Sequence, residues 1–148
     1  MMLTLQDFDA AVAAYERADY TVALSTFWLM AEQGAPVGQC FLGDMYMNGK
    51  GVLLDPVEGV KWWRRAAEQG QVHAQYNLGV AYLKGTGVPQ DYVVAYAWFN
   101  VGAAAGDDTA SKSRDIMVDL MTPAEIEAAR KLSCQLFETY KEQIGIRH

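Results

Sequence analysis

Groups that carry chemistry are scarce in this sequence: two histidines and two cysteines in 148 residues. His73 stands alone and His148 is the last residue, while Cys40 and Cys134 lie far apart. No Cys-x-x-Cys or His-x-x-x-His spacing occurs, so the common zinc ligand sets and a disulfide framework are excluded and reduced thiols are expected. Basic residues are also in deficit, 12 lysines and arginines against 18 acids, a formal net charge of −6. Nucleic-acid binding needs clustered cations to displace counterions, and that class is excluded. No apolar run approaches the ~18 residues that span a bilayer. The opening MMLTLQDFDA places acids where an export signal needs a basic region and an unbroken apolar stretch. The expectations are no membrane insertion, no cofactor and a cytoplasmic location.

What is present is ordinary core material. Apolar residues make up 51% of the chain, enough for one folded domain rather than a disordered segment. The charge is uneven. Residues 1–36 hold five acids (Asp7, Asp9, Glu16, Asp19, Glu32) against Arg17, a net −4, whereas residues 37–106 balance. Such an excess reads first as a solvated acidic face, and second as a surface that steers a basic partner.

The dominant signal is internal repetition at an offset of 36 residues. Leu42, Gly43 and Tyr46 match Leu78, Gly79 and Tyr82; Gly49, Gly51, Val52 and Asp55 match Gly85, Gly87, Val88 and Asp91. Trp62 meets Trp98, Ala67 meets Ala103, and Gly70 meets Gly106. Each unit reads as two helices. Ala74, Leu78 and Tyr82 follow a 3.6-residue period on one face. Asp55-Pro56 supplies an N-cap and a first helical residue, and Gly70 a left-handed stop. Gly43 and Gly79 fall inside helices, where glycine costs about 1 kcal/mol relative to alanine, so close helix approach is expected there.

The ends are modified units. Thr4 and Asp7 form a capping-box pattern that opens a first helix, and Thr122-Pro123-Ala124-Glu125 opens the last. The reading is all-α: an α/α solenoid of about four helical hairpins in a single domain. Residues 1–36 form an N-terminal capping hairpin, 37–70 and 71–106 the repeats, 107–143 a C-terminal capping hairpin, and 144–148 a tail. Degenerate terminal units shield the ends of a stacked array.

The segments QCFLGDMYMNGKGVLLDPVEGVKWWRRAAEQG and AQYNLGVAYLKGTGVPQDYVVAYAWFNVGAAAGD resemble Sel-1-like repeats, a subclass of the tetratricopeptide-like helical repeats. The first departs from the pattern at Gly38 and Gly59, where alanine is usual. The resemblance implies a scaffold or adaptor that binds a protein or peptide on its concave face, often in bacterial signalling or envelope-associated complexes. It does not imply catalysis. The cysteine pairs of the secreted branch of that family are absent.

Gly49-Lys50-Gly51 superficially suggests a phosphate loop. It has no following serine or threonine, it succeeds a helix, and Thr86 replaces the lysine in the next unit; a helix-connecting turn is expected and Lys50 is read as incidental. Asp107 and Asp108 read as helix-start acids. Lys61, Arg64 and Arg65 form a solvated outer face, with Glu58 and Glu68 one turn away as partners. With Ala74 at zero and about 100° per residue, His73, Tyr76, Val80 and Leu83 cluster near ~220°, away from the core set. Their counterparts in the preceding unit are Val37, Cys40, Asp44 and Met47. This row either lines a groove for a peptide or partner helix or is covered by the flanking units. Lys84 and Asn48 would add polar contacts, and Tyr76 and Leu83 are expected to be dispensable for stability. The rival readings are an enzyme or small-molecule binder using Cys40 and His73, and a weakly self-associating structural module.

Overall fold

The structure is a computed structural model that describes residues 2–144; Met1 and residues 145–148, including His148 and most of the expected tail, lie outside the described residues. The described chain is helical throughout: α1 Leu5–Glu16, α2 Tyr20–Glu32, α3 Pro36–Asn48, α4 Pro56–Glu68, α5 Val72–Lys84, α6 Tyr92–Ala104, α7 Asp108–Met117 and α8 Pro123–Ile144. A 3-10 turn, Val118–Leu120, follows α7. Successive helices pack antiparallel-fashion in sequence order, α1 on α2 through α6 on α7, so the architecture is the expected α/α solenoid.

Local chemistry sets the boundaries. The Thr4 hydroxyl accepts from the Asp7 N–H at 3.2 Å while Asp7 Oδ2 accepts from the Thr4 N–H at 2.9 Å, a reciprocal cap on α1. Asp55 and Asp91 cap α4 and α6 identically, each accepting from the N–H three residues on at 3.2 Å. Gly49 and Gly85 end α3 and α5 at φ +66° and +70°, in the left-handed region that residues with a Cβ disfavour.

The helical glycines are explained by packing. A methyl group at Gly43 would run into the Trp63 ring, and one at Gly79 into Phe99. Glycine therefore lets α3 and α5 sit directly against the aromatic rings of their paired second helices, α4 and α6, and burial of Trp63 and Phe99 offsets the propensity penalty. Gly38, one of the two departures from the repeat pattern, permits close approach of α3 to Met30, and Gly59 lies against the backbone of Gly43 and Met47.

A second repeated device is a buried glutamine. Gln39 donates Nε2–H to the Ala31 carbonyl and Gln75 to the Ala67 carbonyl, at 3.4 and 3.2 Å, tying each first helix to the end of the preceding second helix. At the N-terminal end Phe27 and Phe41 stack at 4.3 Å, edged by Phe8 and Tyr15, and seal the array.

The C-terminal unit departs from the expected hairpin. α8 packs mainly on α6 and reaches back to α4, and α7 packs on α6 from another side. Leu136, Phe137 and Tyr140 of α8 lie against the central cluster that includes Trp63, Ala67 and Trp98. α8 kinks at Tyr140 (φ −118°, ψ 21°), and its apolar stripe lies along the second helices α6 and α4 rather than along α7.

Candidate binding groove

The first helices α1, α3 and α5 present one side of the array. Two adjoining concavities open there, of about 250 and 340 Å³. The larger brings together Val37, Cys40, Asp44 and His73 with Tyr15, Phe41 and Gln71; the smaller joins Met47, Tyr76, Val80 and Lys84 with Trp63 and Thr86. Asn77 lines both. Most of the residue row expected from helical angle therefore falls on one continuous surface.

Two members do not. Asn48 is exposed and turns its amide onto its own helix, donating to Asp44 Oδ1 at 2.9 Å and to the Asp44 carbonyl at 3.0 Å. Leu83 packs, half-buried, into the cluster formed by Phe99, Met117 and Met121. Tyr76 and Val80 also touch that cluster, with the Tyr76 ring 5.6 Å from Phe99. The expectation that Tyr76 and Leu83 are dispensable for stability is thus corrected. The C-terminal unit curls partly over this end of the row, so truncating either side chain removes core contacts as well as groove surface.

Asn77, Tyr15 and Phe41 were not anticipated. Asn77 lies one turn after His73 and aligns with Phe41 at the repeat offset, so the same angular argument reaches both. Tyr15 gave no such signal. The loop after α1 is shorter than those after α3 and α5, which breaks the 36-residue register.

Lys50 is also corrected. Its ammonium donates to the Tyr15 hydroxyl at 3.2 Å, lies 5.0 Å from that ring's centroid, and is 3.7 Å from Asp44 Oδ2. It ties the first glycine loop to α1 at the groove edge. Removal from water pushes the Asp44 carboxyl above its ordinary range, with Lys50 and the Asn48 amide opposing the shift. Burial likewise pushes the Cys40 thiol up to about 12.

On the second helices the basic residues have assigned roles. Lys61 pairs with Glu58 at 4.0 Å, Arg65 covers the Trp62 ring at 4.6 Å, and Arg64 donates to the Tyr82 hydroxyl of the next unit. Among the described residues no group of three or more His, Cys, Asp or Glu side chains converges to hold a metal ion. No described helix is long and apolar enough to cross a membrane. The groove offers apolar surface, one unengaged carboxamide and isolated charges, an arrangement suited to holding a chain rather than activating a bond.

Residues 36–71 and 72–107 each match the Sel1 repeat family model. Among solved structures, the chain is similar to a protective antigen present in uropathogenic Escherichia coli strains that displays an SLR fold, with 30% identity and a TM-score of 0.87 over 93% of this chain. It is also similar to a Sel1 repeat protein from Oxalobacter formigenes, with 30% identity and a TM-score of 0.69 over 73% of this chain. The chain spans 30% of the first protein's length and 44% of the second's. No curated protein matches the sequence.

Proposed function

This chain is a Sel1-repeat protein, and from that premise we propose that it is a non-catalytic interaction scaffold that holds a peptide or partner segment in the groove centred on Asn77. One observation carries the reading. Positions that pack the hairpins repeat from unit to unit, as in Leu42/Leu78, Gly43/Gly79 and Trp62/Trp98. Positions that line the groove change: Val37/His73, Cys40/Tyr76 and Asp44/Val80. Packing constrains the first set, whereas the second carries individual chemistry on a common frame, as a recognition surface requires.

The catalytic rival is disfavoured by the Cys40 thiol. A nucleophilic cysteine needs thiolate, and burial without a charged partner moves this one the wrong way. A photo-crosslinking residue at position 77, compared with one at the exposed Lys61, tests the proposal in a lysate of the source organism. Adducts formed from 77 and absent from 61, and retained in Cys40→Ser/His73→Ala, are expected. Equal labelling from both positions refutes the concave site.

A further inference from the structure

The second helices share one register. α2, α4 and α6 each run 13 residues, start 36 residues apart, and are closed by Gly34, Gly70 and Gly106 at positive φ. Their inner faces correspond: Ala23/Gly59/Ala95 and Phe27/Trp63/Phe99 are buried in all three. The opposite faces, at about 100° per residue, do not correspond.

On α6 the outer row is Val94, Ala97 and Val101. Ala97 and Val101 are fully buried, and Val94 and Val101 pack in the cluster that receives Leu136 and Phe137 of α8. On α4 the same positions hold Glu58, Lys61 and Arg65, of which Lys61 and Arg65 are exposed. On α2 they hold Val22, Ser25 and Leu29, apolar and small in the pattern of α6, yet all three are exposed. Trp28, 40% exposed, extends this surface toward α4 and stands edge-on to Trp62 at 6.4 Å. The pattern that seats a helix on α6 is thus repeated on α2 with its apolar residues in solvent.

Glu32 continues the row, exposed and in no ion pair among the described residues. Its counterpart on α4, Glu68, faces the Tyr140 hydroxyl of α8. An acid at this position already meets a donor from a helix laid along the second helices.

Independently of the groove, we propose that the outer row of α2 seats an amphipathic helix of a partner protein, as α6 seats α8. Apolar residues of that helix at i, i+3 or i+4, and i+7 lie on Val22 and Leu29, and a basic residue one turn on meets Glu32. Residues 1–36 carry a net charge of −4, which attracts such a helix and opposes pairing of two copies through this face.

A phage library of amphipathic helices, selected on the full chain, tests this. Enriched sequences are expected to carry the apolar stripe with lysine or arginine beside one end. The strongest binder is synthesised and measured by fluorescence anisotropy. Val22→Glu/Ser25→Lys/Leu29→Arg writes the row of α4 onto α2, so far-UV circular dichroism should be unchanged while binding weakens about tenfold or more. Glu32→Lys should also weaken it, and exchanging the peptide's base for glutamate should restore binding to that variant alone. A photo-crosslinking residue at the exposed Ser25 should capture the peptide, and one at Lys84 on the groove side should not.

Unchanged binding in the triple variant, or equal capture from positions 25 and 84, overturns the α2 site. A peptide lost instead on Asn77→Trp, which fills the junction of the two concavities, overturns it and leaves the groove standing. Unchanged binding in Glu32→Lys overturns the basic chemistry of the partner. No enrichment, or sedimentation showing a dimer of this chain dispersed by the triple variant, overturns the proposed occupant.

Discussion

Ala105→Gln should stabilise the protein, because it supplies a hydrogen-bond donor that the second repeat lacks. In the first repeat the buried Gln39 is satisfied at both ends of its amide: Nε2 donates to the Ala31 carbonyl, and Oε1 accepts from Gln69 Nε2 at 2.7 Å. In the second, Gln75 Nε2 donates to the Ala67 carbonyl but the fully buried Oε1 has no partner. The repeat offset shows why: the residue aligned with Gln69 is Ala105. Both follow a second helix with closely similar backbones, φ −91°, ψ 1° at Gln69 and φ −82°, ψ 0° at Ala105, so a glutamine at 105 starts from the same geometry. A neutral hydrogen bond contributes about 1 kcal/mol net, and relief of a buried orphan acceptor adds to it. Ordering the new side chain takes back up to ~1.5 kcal/mol, less where it stays partly exposed. The balance is about 0.5–1 kcal/mol, or roughly 1–4 °C in Tm for a chain of this size. Calorimetry on wild type, Ala105→Gln, Gln75→Met and the double variant isolates the bond. An unchanged Tm in the single variant, or the same gain when Gln75 is methionine, refutes the reasoning.

Asp44→Asn carries a pH signature. The folded state holds a raised carboxyl pKa, so it binds a proton more readily than the unfolded chain; this stabilising linkage is present at low pH and lost as pH rises from 3.8 through the folded value. The variant lacks that term, so its stability relative to wild type should improve across this window in denaturant titrations; a pH-independent difference contradicts the assignment. Cys40 should resist alkylation in the native state, with a thiolate fraction on the order of 10⁻⁵ at neutral pH, while the exposed Cys134 reacts first. Mass mapping after brief iodoacetamide treatment reads this, and equal labelling refutes the upward shift of the half-buried Cys40 thiol. Gly79→Leu should destabilise by about 1–3 kcal/mol through collision with Phe99, although helix propensity alone favours the change. Unchanged urea midpoints would remove the close-approach explanation for the helical glycines.

The chain's own repetition determined the fold class. Leu42/Leu78, Gly43/Gly79 and the glycine loops recur because each hairpin buries the same face against the next, and a repeated packing constraint leaves a repeated residue. Caps at Thr4, Asp55 and Asp91 were legible for the related reason that they act within a few residues of chain. The approximate groove row was legible too, since helical angle alone separates Tyr76 and Val80 from Leu78.

Tertiary structure decided what depends on a neighbour distant in sequence. Lys50 finds Tyr15 across 35 residues, and no local pattern marks that pair. The C-terminal unit, free of the repeat register, sends α8 along the second helices and folds its other half over Leu83 and Tyr76, so a residue placed on the groove face by angle also serves the core. Asn77 became the centre of the site only when two concavities met at it. Periodicity assigns a side chain to a face of its own helix; whether that face meets solvent, a cap or a cavity is set by the helices stacked beside it.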